Sequence, residues 1–225
     1  MQIAIITTPR EPSYVKETIQ QIACSDIVTA EFIIEAFTDV PSFESWAVKT
    51  QTMHWTLQRR ADALPRGYQR ACLNFWNALT TGVGDLMLFE DDIAVKPGWQ
   101  WALEAVRASS AADLVSLYWP DLAPFHDEVH GGPGDFQWRE YRKPETFHGS
   151  LGLFVPGKHR YPLAAFIEAQ MGPEMMPFDN LVARWLHTMP EVRMVATAEA
   201  QVDHRGDVSA ITENRDHGPR RSPGW

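Results

Sequence analysis

The sequence predicts an α/β protein whose mostly parallel sheet is covered by helices on both faces. Strand-like and helix-like segments alternate along the 225 residues, an order typical of parallel sheets with crossover helices. The continuous apolar run Leu86–Phe89, bounded by Gly84 and by charge, is typical of a parallel strand buried on both faces. No change of composition divides residues 1–210, so we expect one domain there and a C-terminal tail over residues 211–225.

The N-terminal part of the chain predicts two strands separated by a helix. Residues 2–7 form the first apolar strand, and Ser13 is a suitable N-cap for the helix that follows. Apolar side chains from Val15 to Ala23 recur on one helical face. A second strand is predicted over residues 31–37, whereas the irregular and aromatic residues 42–64 predict a loop with short strands.

The middle of the chain predicts two helices around the most apolar strand. Residues 67–80 have helical spacing, and Gly82 ends this helix because glycine readily adopts the backbone conformation of a helix C-terminus. The buried strand over residues 86–89 comes next. Pro97 and Gly98 then open a helix to about Ala108, and residues 114–118 predict a further strand.

The C-terminal part begins with a long segment rich in proline, glycine, aspartate and histidine. Residues 120–145 show little periodicity, and a loop of this length in a compact domain is usually a lid or a binding loop. Residues 147–155 predict a strand and residues 163–169 a short helix. A helix is expected from Pro177 to Thr188, followed by a strand over residues 192–196.

Composition limits the classes of function. The formal net charge of −9 argues against a surface made as a whole for nucleic acid, although the arginines of the tail leave a local basic path open. The two cysteines, Cys24 and Cys72, lie in helical apolar patterns and predict reduced core thiols in a cytoplasmic protein. Because no apolar run reaches about 18 residues and no signal-peptide pattern opens the chain, we expect neither a membrane span nor secretion.

Three adjacent carboxylates, Glu90, Asp91 and Asp92, directly follow the buried strand. They therefore lie at the carboxyl end of the strand, the edge where open α/β sheets bind ligands. Carboxylates this close repel one another unless they share a cation, and oxygen ligands suit Mg²⁺ or Mn²⁺, which commonly bring a di- or triphosphate. The alternative interpretation is an acidic loop in solvent.

Polar residues at four further places are candidates for the same site. The first strand leads to Thr8 and Arg10, and the helix before the acidic strand carries Arg70 and Asn74 one turn apart. That spacing lets the two side chains bind one ligand together. His204 follows near the C-terminus, flanked by charged residues. Each residue taken singly also has a structural interpretation. Arg70 could be a cation on the surface, and Asn74 and His204 could be polar groups whose hydrogen bonds are satisfied within the protein.

In this order the motifs resemble the nucleotide-sugar-dependent glycosyltransferases of the GT-A fold. Phe89–Ile93 followed by Lys96–Gly98 is similar to the acidic metal motif of that family, in the "EDD" form of the fourth type of N-acetylglucosaminyltransferases and of the lipooligosaccharide/procollagen galactosyltransferase group. Residues 71–79 resemble the helix that precedes this motif in the family, and residues 147–152 resemble its acceptor-side glycine segment. Residues 177–179 resemble the start of the helix that bears the base, and residues 203–206 with Ser209 resemble the C-terminal histidine motif. Glu90 replaces the usual first aspartate, and residues 120–145 match nothing in the family.

The resemblance implies a metal-dependent and inverting transfer of a sugar from a nucleotide diphosphate donor, a UDP-sugar, to a hydroxyl group. It implies Glu90, Asp92 and His204 as ligands of Mn²⁺ or Mg²⁺, and Asp179 as the base, where an ordinary N-cap aspartate is the alternative. The expected donor contacts are Thr8, Arg10, Asp39, Arg70, Asn74 and Asp91. The expected contacts with the acceptor or the sugar are His148, Gly149 and Ser150.

The acceptor and two other classes of function stay open at this point. The acceptor is either a glycan or lipid-linked sugar, or a hydroxylated nucleic-acid base. An acidic cluster at a strand end would also serve a metal-dependent phosphoesterase or nuclease, although only one further convincing ligand, His204, is present in the sequence. A non-catalytic module that binds nucleotide sugars is the third possibility.

Overall fold

The structure, a computed structural model, describes residues 1–7, 14–24, 33–38, 53–57, 68–118, 128–132, 134, 136–141, 147, 150–172 and 175–205. The strands are β1 Gln2–Ile6, β2 Ile33–Thr38, β3 Met53–Leu57, β4 Leu86–Glu90, β5 Ile93–Val95, β6 Leu114–Ser116, β7 His130–Gly131, β8 Gln137–Glu140, β9 Gly152–Val155, β10 Met194–Thr197 and β11 Val202–His204. The helices are α1 Val15–Cys24, α2 Tyr68–Thr80, α3 Trp99–Ser110, α4 Gly157–Ala169 and α5 Phe178–Thr188.

Nine of the described strands form one mixed sheet, in the order β3-β2-β1-β4-β9-β6-β10-β8-β7. The strands from β3 to β4 are parallel neighbours, as predicted. Beyond β4, the sheet alternates: β9 is antiparallel to β4 and β6, β10 is parallel to β6, and β8 and β7 close the edge in antiparallel pairs. The predicted α/β class is confirmed, and the second half of the sheet is mixed because β9 and β8 insert between parallel strands.

Each face of the sheet buries its own apolar cluster. Along β1, Ile3 and Ile5 belong to the cluster that includes residues of α1 and α3, whereas Ala4 and Ile6 belong to the one that includes residues of α2, α4 and α5. Successive side chains of a strand point to opposite faces, so a strand buried on both faces needs a continuous apolar run. The helices therefore cover both faces, as the sequence predicts.

Helix α4 begins six residues earlier than the predicted helix at residue 163. The expected start lay beyond Pro162 because proline lacks a backbone donor and disfavours helix interiors, yet Pro162 lies inside the helix. A residue outside the helix stabilises its first turn, since the Gly157 amide donates a hydrogen bond to the Asp85 carboxylate at 3.1 Å. Gly157 also packs on the backbone of Gly84, where a Cβ would come within 3.0 Å of the Gly84 Cα.

Arg160 is a fully buried arginine on α4. Its guanidinium donates hydrogen bonds to four carbonyl oxygens around the end of α2, those of Ala78 at 2.8 Å, Leu79 at 3.1 Å, Gly84 at 3.1 Å, and Thr81. The last carbonyls of a helix lack partners within the helix and carry partial negative charge. Arg160 therefore satisfies the C-terminus of α2 and fixes α4 against it.

A network of charged side chains joins α4 to the starts of β6 and β10. The Asp113 carboxylate accepts hydrogen bonds from Lys158, from His159 at 3.0 Å and from the Arg193 amide at 3.1 Å. Burial alone would raise the pKa of Asp113, but these hydrogen bonds lower it to about 2. Arg193 in turn pairs with Glu140 of β8 at 3.2 Å, so the network clamps the edge of the sheet opposite the acidic triplet.

Two further details of the predicted elements are wrong, and one pair of strands was not predicted. The segment 120–145 is not all loop, because β7 and β8 form within it; β8 is polar except for the buried Trp138, so its sequence lacks an apolar run. The strand expected over residues 147–155 is regular only from Gly152. The two-stranded pair of β5 and β11 was not predicted, since each strand has only three residues.

The expected division into a domain over residues 1–210 and a tail over residues 211–225 stays a prediction, because residues 206–225 lie outside the described part of the chain. Cys72 is buried in the core as predicted. In the described part of the chain, no helix is both long enough and apolar enough to cross a membrane.

Candidate active site

The acidic triplet lies where the sequence places it, at the carboxyl end of β4. Glu90 is the last residue of β4 and pairs with Ile6 at the end of the parallel strand β1. Asp91 and Asp92 form a bend, after which β5 begins at Ile93. The triplet is thus held between two strand ends in the central part of the sheet, and its three side chains have three different environments.

Asp92 lies beside His204. The antiparallel register of β5 and β11 sets His204 opposite Ile93, and the Arg205 amide donates to the Asp92 carbonyl oxygen at 2.8 Å. As a result, the His204 Nε2 lies 3.2 Å from Asp92 Oδ2, and the Asp92 residue is only 3% exposed. Two of the three predicted metal ligands are therefore in contact, although they are far apart in the sequence.

The carboxyl group of Glu90 has a raised pKa. Burial and then the neighbouring charge of Asp92 raise its pKa to about 7, against the lowering effects of Ser150 and His204. The Ser150 hydroxyl donates to Glu90 Oε1 at 2.5 Å. Ser150 was predicted as an acceptor or sugar contact, and the structure does bring it to the acidic triplet. Its contact with a ligand stays a prediction.

Asp91, predicted as a donor contact, is 1% exposed and bonded within the protein. The Thr7 hydroxyl donates to Asp91 Oδ2 at 2.7 Å, and the Thr18 hydroxyl donates to the Asp91 carbonyl oxygen at 2.6 Å. These bonds tie the end of β1 and helix α1 to the acidic turn. Thr7 adjoins the predicted strand end, but no signal in the sequence pointed to Thr18. A contact between Asp91 and a ligand stays a prediction.

Helix α2 presents buried amides. Asn74 is 2% exposed, and its Nδ2 has no hydrogen-bond partner among the described residues; the same holds for both amide atoms of Asn77, three residues further along. Asn77 was missed by the sequence analysis, although it continues the stripe of Arg70 and Asn74 by one turn. Arg70 lies in the described helix α2, but its side chain is outside what the structure describes.

Asp179 lies at the start of α5, near the acidic triplet. Phe178 stacks on Phe75 of α2, with ring centroids 3.7 Å apart, and this contact places the first turn of α5. Pro177 occupies the N-cap position, so Asp179 is not an ordinary N-cap; its Oδ1 accepts a hydrogen bond from the Asn180 amide at 2.9 Å. The charge of Asp179 is the smallest of the influences that raise the pKa of Glu90.

Cys72 lies between these acidic groups. Its thiol donates to the Met176 carbonyl oxygen at 3.2 Å, just before α5. Burial, then the charges of Asp179 and Glu90, raise the pKa of the thiol, so it stays protonated and unreactive. The Cys72 thiol thereby links α2 to the residues just before α5.

Five predicted contact residues cannot be located: Thr8, Arg10, Asp39, His148 and Gly149 lie outside the described residues. Within the described part of the chain, no group of three or more histidine, cysteine, aspartate or glutamate side chains is close enough to hold a metal ion. The predicted set of Glu90, Asp92 and His204 is thus assembled only in part: Asp92 and His204 are in contact, and the Glu90 carboxylate accepts a hydrogen bond from Ser150.

Comparisons with known proteins identify the fold. No protein-family model matches the chain, and no curated protein sequence matches it. Among solved structures, S. aureus TarS 1–349 is similar with a TM-score of 0.56 and 11% identity, over 90% of this chain and 60% of that chain. S. aureus TarS 1–349 in complex with UDP-GlcNAc is similar with a TM-score of 0.57 and 11% identity, over 96% and 62%. The chain therefore spans about three fifths of these proteins and shares their GT-A-type fold.

Proposed function

We propose that the protein is a glycosyltransferase that moves a sugar from a nucleotide diphosphate donor, a UDP-sugar, to an acceptor hydroxyl group. The observation that carries the proposal is the contact of Asp92 with His204 beside Glu90, at the carboxyl end of the central strand β4. This edge is where open α/β sheets bind their ligands. The similar fold of TarS, whose structure was determined with UDP-GlcNAc, supports a nucleotide-sugar donor.

The donor atoms of Asp92, His204 and Glu90 are of the kinds that bind divalent cations, and two of the three side chains are already in contact. The pKa of Glu90 is raised to about 7 by burial and by Asp92, which means that negative charge at this place lacks enough compensation within the protein. Carboxylate oxygens suit Mn²⁺ and Mg²⁺, and imidazole suits transition metals. We propose Asp92 and His204, with Glu90, as the residues that would hold Mn²⁺ or Mg²⁺. When bound, the ion would neutralise the negative charge that develops on the diphosphate leaving group.

The amides of α2 are suited to hold the donor. Asn74 and Asn77 have buried side-chain nitrogens without hydrogen-bond partners among the described residues. Buried polar groups of this kind cost free energy unless a ligand or water satisfies them. We propose that Asn74, together with Arg70 one turn earlier, binds the nucleotide, and that Asp91 stabilises the acidic turn through Thr7 while the donor is bound.

Asp179 is the proposed base. The attacking hydroxyl group has a high pKa and needs an acceptor for its proton within hydrogen-bonding distance. Asp179 lies in the first turn of α5, where its carboxylate accepts a hydrogen bond from the Asn180 amide. Proton transfer from the acceptor hydroxyl to Asp179, with a single displacement at the anomeric carbon, would invert the configuration of the transferred sugar.

The proposal is tested by calorimetric titration with UDP, in Mn²⁺ and in EDTA. We expect the parent protein to bind UDP only with the metal, and Asp92→Asn to lose this binding while retaining the parent circular dichroism spectrum. Glu104→Gln is the matched control, because Glu104 is an exposed carboxylate on α3. Equal UDP affinity with and without metal in the parent, or unchanged metal-dependent affinity in Asp92→Asn, would contradict the proposal. Metal-dependent cleavage of bis(p-nitrophenyl) phosphate without UDP binding would instead identify a phosphoesterase.

A further inference from the structure

A pocket of about 180 Å³ opens between β8 and the end of β10. Its lining includes Phe136, Gln137 and Arg139 from the β8 side, and Glu199 and Gln201 from the loop after β10. The volume is below the ~300–1,000 Å³ typical of sites that enclose a whole small ligand. The pocket therefore fits one unit at the end of a larger molecule.

The pocket opens on the same edge of the sheet as the acidic triplet. Strand β9 is antiparallel to both β4 and β6, and β10 is parallel to β6, so β10 runs in the direction of β4. Thr197 at the end of β10 and Glu90 at the end of β4 thus share the carboxyl edge. Three strand positions separate β4 from β10, which is about 14 Å at the usual spacing of neighbouring strands.

The wall of the pocket is tied to the metal-ligand candidates. The Gln201 amide donates to the Leu117 carbonyl oxygen at 2.8 Å, and the Lys96 amide donates to the Gln201 carbonyl oxygen at 2.9 Å. Lys96 also pairs with Glu199 at 2.6 Å. Because Gln201 leads directly into β11, which carries His204, a ligand in the pocket is held at a fixed position relative to Asp92 and His204.

The chemistry of the lining favours carbohydrate. The side-chain amides of Gln137 and Gln201 can donate and accept hydrogen bonds, the guanidinium of Arg139 can donate them, and Phe136 adds an aromatic surface. The charge of Glu199 is already balanced by Lys96. A duplex acceptor would instead need several cations along the path of its phosphates, and Arg139 is the one cationic side chain among those lining residues that the structure describes.

We propose that this pocket binds the distal sugar of an extended oligosaccharide acceptor, whose reacting hydroxyl group lies near Asp179. The inference rests on the proposed glycosyltransferase function and specifies the acceptor as a glycan of several units. A monosaccharide cannot span both places, because the pocket and the acidic triplet are separated by three strand positions. Gln137 and Arg139 are thereby assigned as determinants of acceptor specificity.

The test is binding to an array of immobilised glycans and to duplex DNA, with the double variant Gln137→Ala/Arg139→Gln. The matched control is Gln20→Ala/Arg184→Gln, which changes two exposed residues on α1 and α5. We expect the parent and the control to bind a group of glycans of three or more sugars. We expect the double variant to bind them at least about tenfold more weakly, as the loss of one neutral and one charged hydrogen bond predicts, with unchanged metal-dependent affinity for UDP.

The outcomes separate the two proposals. If UDP binds but no glycan binds, or if the double variant binds glycans as the parent does, the pocket is not an acceptor site and the glycosyltransferase proposal is unaffected. Salt-sensitive binding to duplex DNA without glycan binding also overturns the pocket assignment, in favour of a nucleic-acid acceptor. If UDP does not bind to the parent protein, the proposed function itself fails.

Discussion

Replacement of Arg160 by methionine should strongly destabilise the protein. The guanidinium of Arg160 is fully buried and donates to four carbonyl oxygens around the end of α2. Hydrogen bonds from a charged donor contribute ~1.5–3 kcal/mol each, which gives an upper sum of ~6–12 kcal/mol. Part of this loss is offset, because burying a charged side chain costs several kcal/mol of desolvation free energy, and methionine does not incur this cost. Methionine fills much of the volume, so we expect a net loss of ~3–5 kcal/mol.

The free energy of unfolding is measured by urea denaturation followed by far-ultraviolet circular dichroism. Arg184→Met is the matched control, since Arg184 lies exposed on α5, and we expect it to change stability by no more than ~0.5 kcal/mol. Arg160→Lys retains the charge but has fewer donors for the carbonyl oxygens, so it should fall between the parent and Arg160→Met. If Arg160→Met unfolds within 1 kcal/mol of the parent, the buried guanidinium does not hold the end of α2.

Two further variants test the site and the opposite edge of the sheet. Asp179→Asn should lower sugar transfer by ~10²–10⁴-fold with nearly unchanged UDP affinity, measured by steady-state assay and calorimetry; transfer at the parent rate would show that Asp179 is not the base. The folded-state pKa of Asp113 is lowered to about 2, so its stabilisation is complete above its ordinary pKa and is lost as the pH falls through about 2. Asp113→Asn should therefore be less stable than the parent at pH 7, and urea denaturation should show this difference shrinking between pH 5 and pH 2. A difference independent of pH would contradict the role of the carboxylate.

The sequence predicted those parts of the fold that local pattern determines. The apolar run of β4 is continuous because both faces of the sheet are buried, and the acidic triplet at its end marked the candidate site. Helix α5 begins after Pro177 as expected, because proline is suited to a helix N-terminus. Local pattern could not predict β8, since an edge strand with one buried side chain has no apolar periodicity.

Contacts between distant residues account for what the sequence could not show. Nothing local to Arg160 predicts its burial, because arginine is usually exposed and the carbonyl oxygens that it satisfies lie about eighty residues earlier. In the same way, the raised pKa of Glu90 follows first from burial by elements far away in the chain, and only then from the neighbouring Asp92. His204 was predicted from its charged neighbours, but its partner Asp92 is specified only by the register of β5 and β11.

The pairing of β5 with β11 also has a consequence for the order of folding. The two strands are more than a hundred residues apart, whereas β1, β2 and β4 can pair before the C-terminal part of the chain is made. Closing so large a loop lowers the entropy of the chain, and this free-energy cost is offset only when the distant contact forms. We therefore expect the contact between Asp92 and His204 to form late, after the sheet has assembled. A chain interrupted before β11 during synthesis would then be largely folded but would lack the contact between Asp92 and His204.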